Sequence, residues 1–378
     1  MLFKDIPGHH DIKRRLINNV KKHRISHAQL FLGAEGNGKY ALALAYAQYI
    51  NCTDKKEDDS CGHCPSCIKM NKLIHPDMNL VVPVGTTSSI TSKPITKYFL
   101  EDWRAFLNEN NFFPTLNAWY QHINIGNKQG AINAEECNEI IKTLSYKAYE
   151  GGFKIMIIYM VEKLNHAAAP KLLKILEEPP EKTLFILIAE DQEKILKTIL
   201  SRTQLTVIPP YSDAEVEDYI KNNNSCDDQK AQLIASVSEG NISTAKDLLN
   251  TDFSENKNFI LFREWMRLCY SGSIAKIHPF VTTLSKLGRE TIKEFLIFGL
   301  RTARNCLIYG YQQSSLLHLT EEEFEFIKKF SPFFNTNNLI PAIDQLDKAV
   351  YHVERNANGN ILLMDLSVKF IKLLKIRV

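Results

Sequence analysis

Gly33-Ala34-Glu35-Gly36-Asn37-Gly38-Lys39-Tyr40 fits the phosphate-loop pattern G-x-x-x-x-G-K-[ST] at every position but the last. Leu30-Phe31-Leu32 before it reads as a short buried strand, and Tyr40 to Ile50, rich in Ala and Leu, reads as a helix. A glycine-rich turn between strand and helix lets successive backbone N–H groups converge on a phosphate, and the helix N-terminus adds a favourable dipole. Gly33, Gly36, Gly38 and Lys39 are therefore the candidate nucleotide-binding residues, with Lys39 placed to reach β- and γ-phosphates. Tyr40 stands where a Ser or Thr hydroxyl would hold Mg²⁺. The competing reading is a glycine-rich strand–helix turn that binds nothing.

Working outward, the 378 residues predict two or three domains, and an apolar fraction of 44% is ordinary for a globular chain. A net charge of +3 does not by itself argue for nucleic acid. No stretch approaches the roughly 20 apolar residues of a membrane span. Met1-Leu2-Phe3-Lys4-Asp5 lacks a signal-peptide layout, so the expected location is the cytoplasm, where thiols stay reduced.

That setting makes the eight cysteines metal ligands or buried thiols rather than disulfides. Cys52, Cys61, Cys64 and Cys67 follow the loop helix with spacing C-x8-C-x2-C-x2-C. Four soft ligands so close together suit one tetrahedral, structural Zn²⁺ ion, and Gly62 and Pro65 favour the tight turns that bring thiolates together. Scattered thiols, His63 as a substitute ligand, or an iron–sulfur cluster are the competing readings. The other cysteines, 137, 226, 269 and 306, stand singly.

The remaining pattern alternates strands and helices. Phe3 to Ile25 carries Ile12, Leu16 and Val20 at helical spacing. Leu80-Val81-Val82, Lys154–Ile158 and Thr183–Ala189 read as buried strands. Asn133 caps a helix with an acidic first turn, and Asn165 to Glu178 is a helix stopped by Pro179-Pro180. Such alternation predicts an α/β domain with a parallel sheet. Gly85 to Gly130 carries a loop, a helix over 98–107 and an aromatic cluster of Phe112, Phe113, Trp119 and Tyr120, read as local core without a function. Val207-Ile208-Pro209-Pro210 reads as a boundary, and Ser212 to Glu215 as a capping box. Beyond it the pattern is helical, with two or three short helices to about Leu249. Longer helices follow from Asn256, including Thr291–Tyr309, Glu321–Phe330, Ile340–Asn356 and an Ile361–Ile376 helix apolar on most faces.

His27-Ala28 before Leu30-Phe31-Leu32-Gly33, the four-cysteine insert, the run Leu172-Leu173-Lys174-Ile175-Leu176-Glu177-Glu178-Pro179-Pro180 and Ser201-Arg202-Thr203 together carry a resemblance. The chain resembles the delta-prime family of bacterial DNA polymerase III clamp-loader subunits, within the AAA+ superfamily, over nearly its whole length. The resemblance implies an AAA+ nucleotide-binding-like α/β domain over 1–209, with a zinc module at 52–67 and an insertion at about 85–130. A small helical lid over 210–252 and an all-α collar for oligomerisation over 253–378 would follow. It further implies a hetero-pentamer with delta and gamma/tau subunits, acting with a sliding clamp and primer–template DNA in replication.

Departures from the family pattern are as informative. By alignment to Lys154–Ile158, the two carboxylates that organise Mg²⁺ and polarise water fall on Tyr159 and Met160. Glu162 would lie past the strand end and be solvated. The lid arginine expected after Gly240-Asn241 aligns with Ser243. The sequence thus implies a subunit that binds Mg-ATP weakly or not at all and does not hydrolyse it. Arg202 is retained, and the resemblance implies that it acts in trans as an arginine finger on a neighbour's ATP. A surface arginine capping its own helix is the alternative for Arg202. An active motor ATPase of the gamma/tau type is the alternative for the chain, and Tyr159-Met160 argues against it. A free-standing zinc-dependent nucleic-acid binder lacks a basic stripe.

Overall fold

The computed structural model describes residues 1–125, 128–223, 226–250, 257–311, 317, 319, 321–335 and 337–376. Two compact units divide the chain, Met1–Lys246 and Asp247–Val378. The expected boundary at 252/253, and Asn256 as the start of the long helices, lie outside the described residues.

In the first unit, α1 (His10–Lys21) leads to β1 (Ala28–Leu32), α2 (Lys39–Asn51), α3 (Pro65–Asn71) and β2 (Met78–Val81). Then come α4 (Leu100–Glu109), α5 (Leu116–His122), α6 (Ala134–Ser145), β3 (Lys154–Tyr159), α7 (Ala169–Glu177), β4 (Thr183–Ala189), α8 (Lys197–Leu200) and β5 (Gln204–Val207). Three helices close the series, α9 (Asp213–Asn223), α10 (Asp228–Val237) and α11 (Ile242–Asn250), the last running across the division after Lys246. All five strands are parallel, in the order β2-β3-β4-β1-β5. Every residue of β1, β3 and β4 is buried, because helices cover both sheet faces. Alternate side chains divide between the faces. Ile155, Ile157, Tyr159, Ile186 and Ile188 join the core under α1, α2 and the 85–130 segment, whereas Met156, Ile158, Phe185 and Leu187 join the core with α6 and α7.

The first helix is shorter than its periodicity suggests. Gly8 and His9 are left-handed, at φ +52° and +53°, and α1 begins only at His10. Phe3–Asp5 forms a separate 3₁₀ turn. The caps follow the local sequence: Asn133 Oδ1 accepts the Glu136 N–H at 2.9 Å, and Ser212 and Glu215 bond reciprocally.

The second unit is helical: α12 (Lys257–Ser271), α13 (Ile274–Ser285), α14 (Arg289–Gly310), α15 (Glu321–Phe330), α16 (Leu339–Glu354) and α17 (Gly359–Leu373). Phe262, Trp265, Phe295, Leu346 and Phe370 are among its buried core. The last helix buries one face, Leu363, Leu366, Ser367 and Phe370, and leaves Ile361 71% exposed. No described helix is long and apolar enough to cross a membrane.

Glu136 ties the 85–130 segment to α6, its Oε2 accepting the Thr96 N–H at 2.6 Å. Burial, against the hydrogen bonds from Thr96, raises its pKa to about 7. A folded-state pKa above the unfolded value gives stability that is full below the unfolded pKa and lost as pH rises towards the folded one. Wild type should therefore lose about 1–3 kcal/mol relative to Glu136→Gln, which keeps the acceptor, between about pH 4.5 and 7. Urea midpoints across that range check it, and parallel curves would refute it.

Candidate functional site

Leu32 pairs with Ala189 in register, so Gly33 and Glu190 leave the carboxyl edge of the sheet side by side. The Gly33 N–H donates to Ala189 O at 3.2 Å. Gly36 and Gly38, at φ +70° and +78°, turn the loop back on itself. A Cβ on Gly36 would lie 1.7 Å from Asn241 Oδ1, so only glycine admits the neighbouring chain there. The Ile242 N–H in turn donates to Gly36 O at 3.2 Å. Asn37 is fully buried; its Nδ2 donates to Ile208 O at 2.6 Å and its Oδ1 accepts the Lys39 N–H at 3.2 Å. Lys39 is buried as well. Its Nζ donates to Ala34 O at 2.9 Å and pairs with Glu190 Oε1 at 3.2 Å.

Tyr40 and Tyr159, two of the positions at which the sequence leads one to expect Mg²⁺ ligands, lie in an aromatic cluster. Tyr40 and Tyr159 meet edge to face at 5.5 Å between centroids, and Trp103 from α4 lies 5.6 Å and 5.5 Å from them. The Trp103 Nε1–H donates to Tyr40 Oη at 2.9 Å, and Tyr159 Oη donates to Pro114 O at 3.1 Å. Phe106 and Trp119 extend the cluster, with Trp119 Nε1–H on Pro83 O at 2.9 Å. Each polar tip is thus satisfied inside an otherwise apolar cluster. Desolvation pushes both tyrosine pKa values above the ordinary phenol value. The 85–130 segment, which has no functional reading in the sequence, therefore packs against the very residues that depart from the phosphate-loop pattern.

Met160 is buried at φ +56°. Glu162 is not solvated, contrary to its position past the strand end: Oε1 accepts the Glu190 N–H at 2.8 Å and Oε2 is buried without a hydrogen-bond partner. The turn after β3 folds the side chain back across the sheet edge, and burial raises its pKa. Ser243, at the lid-arginine position, donates through Oγ to Phe113 O at 3.1 Å. Phe113 also packs on Tyr211 and Tyr219. The aromatic segment and the helices after β5 therefore meet above the loop.

Cys52, Cys61, Cys64 and Cys67 bring their sulfurs within 4.8 Å of one another. Cys61 and Cys67 sulfurs lie 3.9 Å apart. A tetrahedral ion with bonds of about 2.3 Å to sulfur separates its ligands by about 3.8 Å, so the donor set fits such an ion. Backbone N–H groups of Cys61, Cys64 and Cys67 point at the sulfurs of Cys52, Cys61 and Cys64, at 3.3–3.4 Å, and favour thiolates. Burial opposes ionisation of Cys64, but hydrogen bonds led by that from Thr53 bring its pKa down to about 5, whereas burial pushes the Cys52 and Cys67 thiols up. His63, exposed, lies 3.6 Å from Asp54 and forms with Asp54 and Cys61 a second group within 4.8 Å, at the edge of the four-sulfur group. Cys137, Cys269 and Cys306 are isolated and buried, which pushes their thiols up to about 11, 12 and 12. Behind the module, the Asp77 N–H donates to His75 Nδ1 at 3.1 Å, so Nε2 carries the proton towards Ser66 Oγ and Glu150.

Arg202 follows α8 at the surface. Its Nε donates to Glu177 Oε1 at 2.6 Å, Nη2 pairs with the same carboxylate, and Nη1 donates to Thr198 O at 3.0 Å. Both the helix-capping contact and a partly exposed guanidinium are thus present, the side chain being 35% exposed.

Glu190 is the residue that sequence reasoning missed. Its signal is an acid directly after an apolar strand, and it acquires meaning only once β4 is known to lie beside β1.

Residues 8–212 match the family described as DNA polymerase III, delta subunit. DNA polymerase III subunit delta' of Bacillus subtilis is 28% identical over 65% of this chain and 61% of its own length, under two thirds of that relative. The delta' subunit of Buchnera aphidicola (Schizaphis graminum) is 23% identical over 93% of this chain and 92% of its own. The tau/gamma subunit of Haemophilus influenzae is 24% identical over 64% of this chain but only 29% of its own. A solved gamma subunit-related protein from Thermotoga maritima aligns with 96% of this chain and 99% of its own, at 14% identity and a TM-score of 0.41.

Trp103 is fully buried at the centre of the aromatic cluster. Trp103→Ala should cost about 3–5 kcal/mol, whereas Tyr40→Phe, which removes one hydrogen bond, should cost about 1 kcal/mol. Urea unfolding of the full chain measures both. A Trp103→Ala cost no larger than that of Tyr40→Phe would show that the cluster is not closed.

Proposed function

Because the chain belongs to the DNA polymerase III, delta subunit family, we propose that it is a non-hydrolysing delta-prime subunit of a clamp loader. In this reading it helps place a sliding clamp on primed DNA and lends Arg202 to the ATP site of a neighbouring subunit. The observation that carries the reading is the closure of Tyr40, Tyr159 and Trp103 over the Mg²⁺ position. Phosphoryl transfer needs a metal held by hydroxyl and carboxylate, and a group to orient the nucleophile. An apolar cluster cannot accept a divalent ion without a large desolvation cost. Nothing at Tyr159 or Met160 can ligate the metal or accept a proton.

The chain would act in the cytoplasm through its partners, with delta and gamma/tau subunits in a hetero-pentamer. Residues 1–209 would serve as the AAA+ platform, 210–252 as the lid and 253–378 as the collar. The alternative is a motor ATPase of the gamma/tau type, which the retained Lys39 keeps in view. ATP turnover by the purified chain decides between them. No turnover above background is expected, and Lys39-dependent hydrolysis would establish the motor.

Arg202 supports the reading by its surface position and always-charged, forked guanidinium. To serve in trans it would exchange the Glu177 carboxylate for a phosphate. Arg202→Ala should leave the complex assembled and ATP bound at the neighbour, because a finger acts mainly on the transition state. Turnover at that one site should fall on the order of 10³–10⁵, with a smaller loss over all motor sites and slower clamp loading. Normal hydrolysis and loading by the mutant complex would leave Arg202 a surface residue.

Cys52, Cys61, Cys64 and Cys67 would hold one structural zinc ion, four protein ligands leaving no open position for chemistry. Elemental analysis of protein purified without added metal should find about one zinc per chain. Cys64→Ser should lower zinc content and thermal midpoint together. Iron, or a well-folded chain with no metal, would overturn the assignment.

A further inference from the structure

We propose that Glu190 is a built-in counter-anion for the phosphate loop, keeping Lys39 from phosphate and so excluding nucleotide. The inference rests on the reading of the loop as a degenerate nucleotide site and says what degenerated it besides the missing metal ligands.

A phosphate loop holds its ligand with converging backbone N–H groups and one ammonium. One donor of each kind, the Lys39 N–H and the Lys39 ammonium, is committed internally here. Asn37 Oδ1 accepts the Lys39 N–H, and its amide is anchored on Ile208 O at the other end. The Lys39 ammonium, with its side chain 4% exposed, has Ala34 O on one side and the Glu190 carboxylate on the other. A buried ammonium needs a counter-charge, and the carboxylate supplies it. The backbone at Glu190 is fixed at the sheet edge, its N–H donating to Glu162 Oε1 at 2.8 Å, so the side chain starts beside Lys39.

The two contacts differ in what they do to an incoming phosphate. Asn37 is neutral, and its hydrogen bond can be exchanged for one to an anion. Glu190 carries the same sign as the phosphate and contacts the group that should bind it, so it must be displaced or protonated first. Strand order is what makes this possible. With β4 next to β1, the residue after Ala189 emerges beside Gly33, within reach of Lys39.

Calorimetric titration of the full chain at low salt, with inorganic tripolyphosphate and with Mg²⁺-free ADP, tests the proposal. Wild type should show no saturable binding up to about 1 mM, and Glu190→Gln, which keeps the shape and a hydrogen-bond acceptor, should bind at least about tenfold tighter. The gain should vanish in Glu190→Gln/Lys39→Met. Binding by wild type as tight as by Glu190→Gln, or no gain in the variant, overturns the proposal. Thermal midpoints of Glu190→Gln, Lys39→Met and the double variant give a second readout that survives an unstable variant. Non-additive losses are expected, and strict additivity would show that the pair does not exist. Hydrolysis of ATP by wild type would instead defeat the non-hydrolysing reading. A wild-type chain without turnover, joined to a Glu190→Gln variant without anion binding, defeats this inference alone.

Discussion

Burial of Tyr40 and Tyr159 against Trp103 sets the character of the first unit. The carboxyl edge of a parallel sheet is where loops and helix N-termini converge, and hydrolysis of a nucleotide there requires charged, hydrated groups. In this chain an aromatic core, whose hydroxyl and indole groups are satisfied by each other and by backbone carbonyls, shares that edge with the Lys39–Glu190 pair. The hydrophobic effect that closes the cluster also holds the 85–130 segment against α2 and β3.

The 85–130 segment connects that closure to the rest of the unit. Trp103, Phe106 and Trp119 face α2 and β3, while Phe113 reaches Tyr211, Tyr219 and Ser243. The chain itself bridges the loop and the helices after β5, through the Gly36–Ile242 backbone bond and the Phe113 contacts. Glu136 fixes the start of the segment and Tyr120 its end, the Tyr120 hydroxyl donating to Gly130 O at 3.0 Å.

Much of this was legible in local patterns. The loop, the cysteine spacing, the Asn133 cap, the Ser212 capping box and the buried strands each depend on residues close together in the chain, so short-range chemistry reveals them. Glu162 was misread because its distance past the strand end suggested solvent. The turn at Met160 and Val161 instead carries it back over the sheet edge. A helix running from Phe3 is interrupted at Gly8-His9, where the backbone turns left-handed.

By itself the sequence determined the donor types: four thiols at knuckle spacing, a lysine in a glycine-rich turn, tyrosine and methionine where hydroxyl and carboxylates are needed, and an arginine after a short helix. These are statements of residue identity and hold in any fold that uses the motifs. Only the tertiary structure decided what surrounds them. Strand order β2-β3-β4-β1-β5 brings Glu190 to Lys39 across 151 residues of chain, and chain reversal after β2 brings Trp103 to Tyr40 across 63. Local propensity has no access to contacts at that separation, because they exist only after the sheet has assembled and the two faces have been covered.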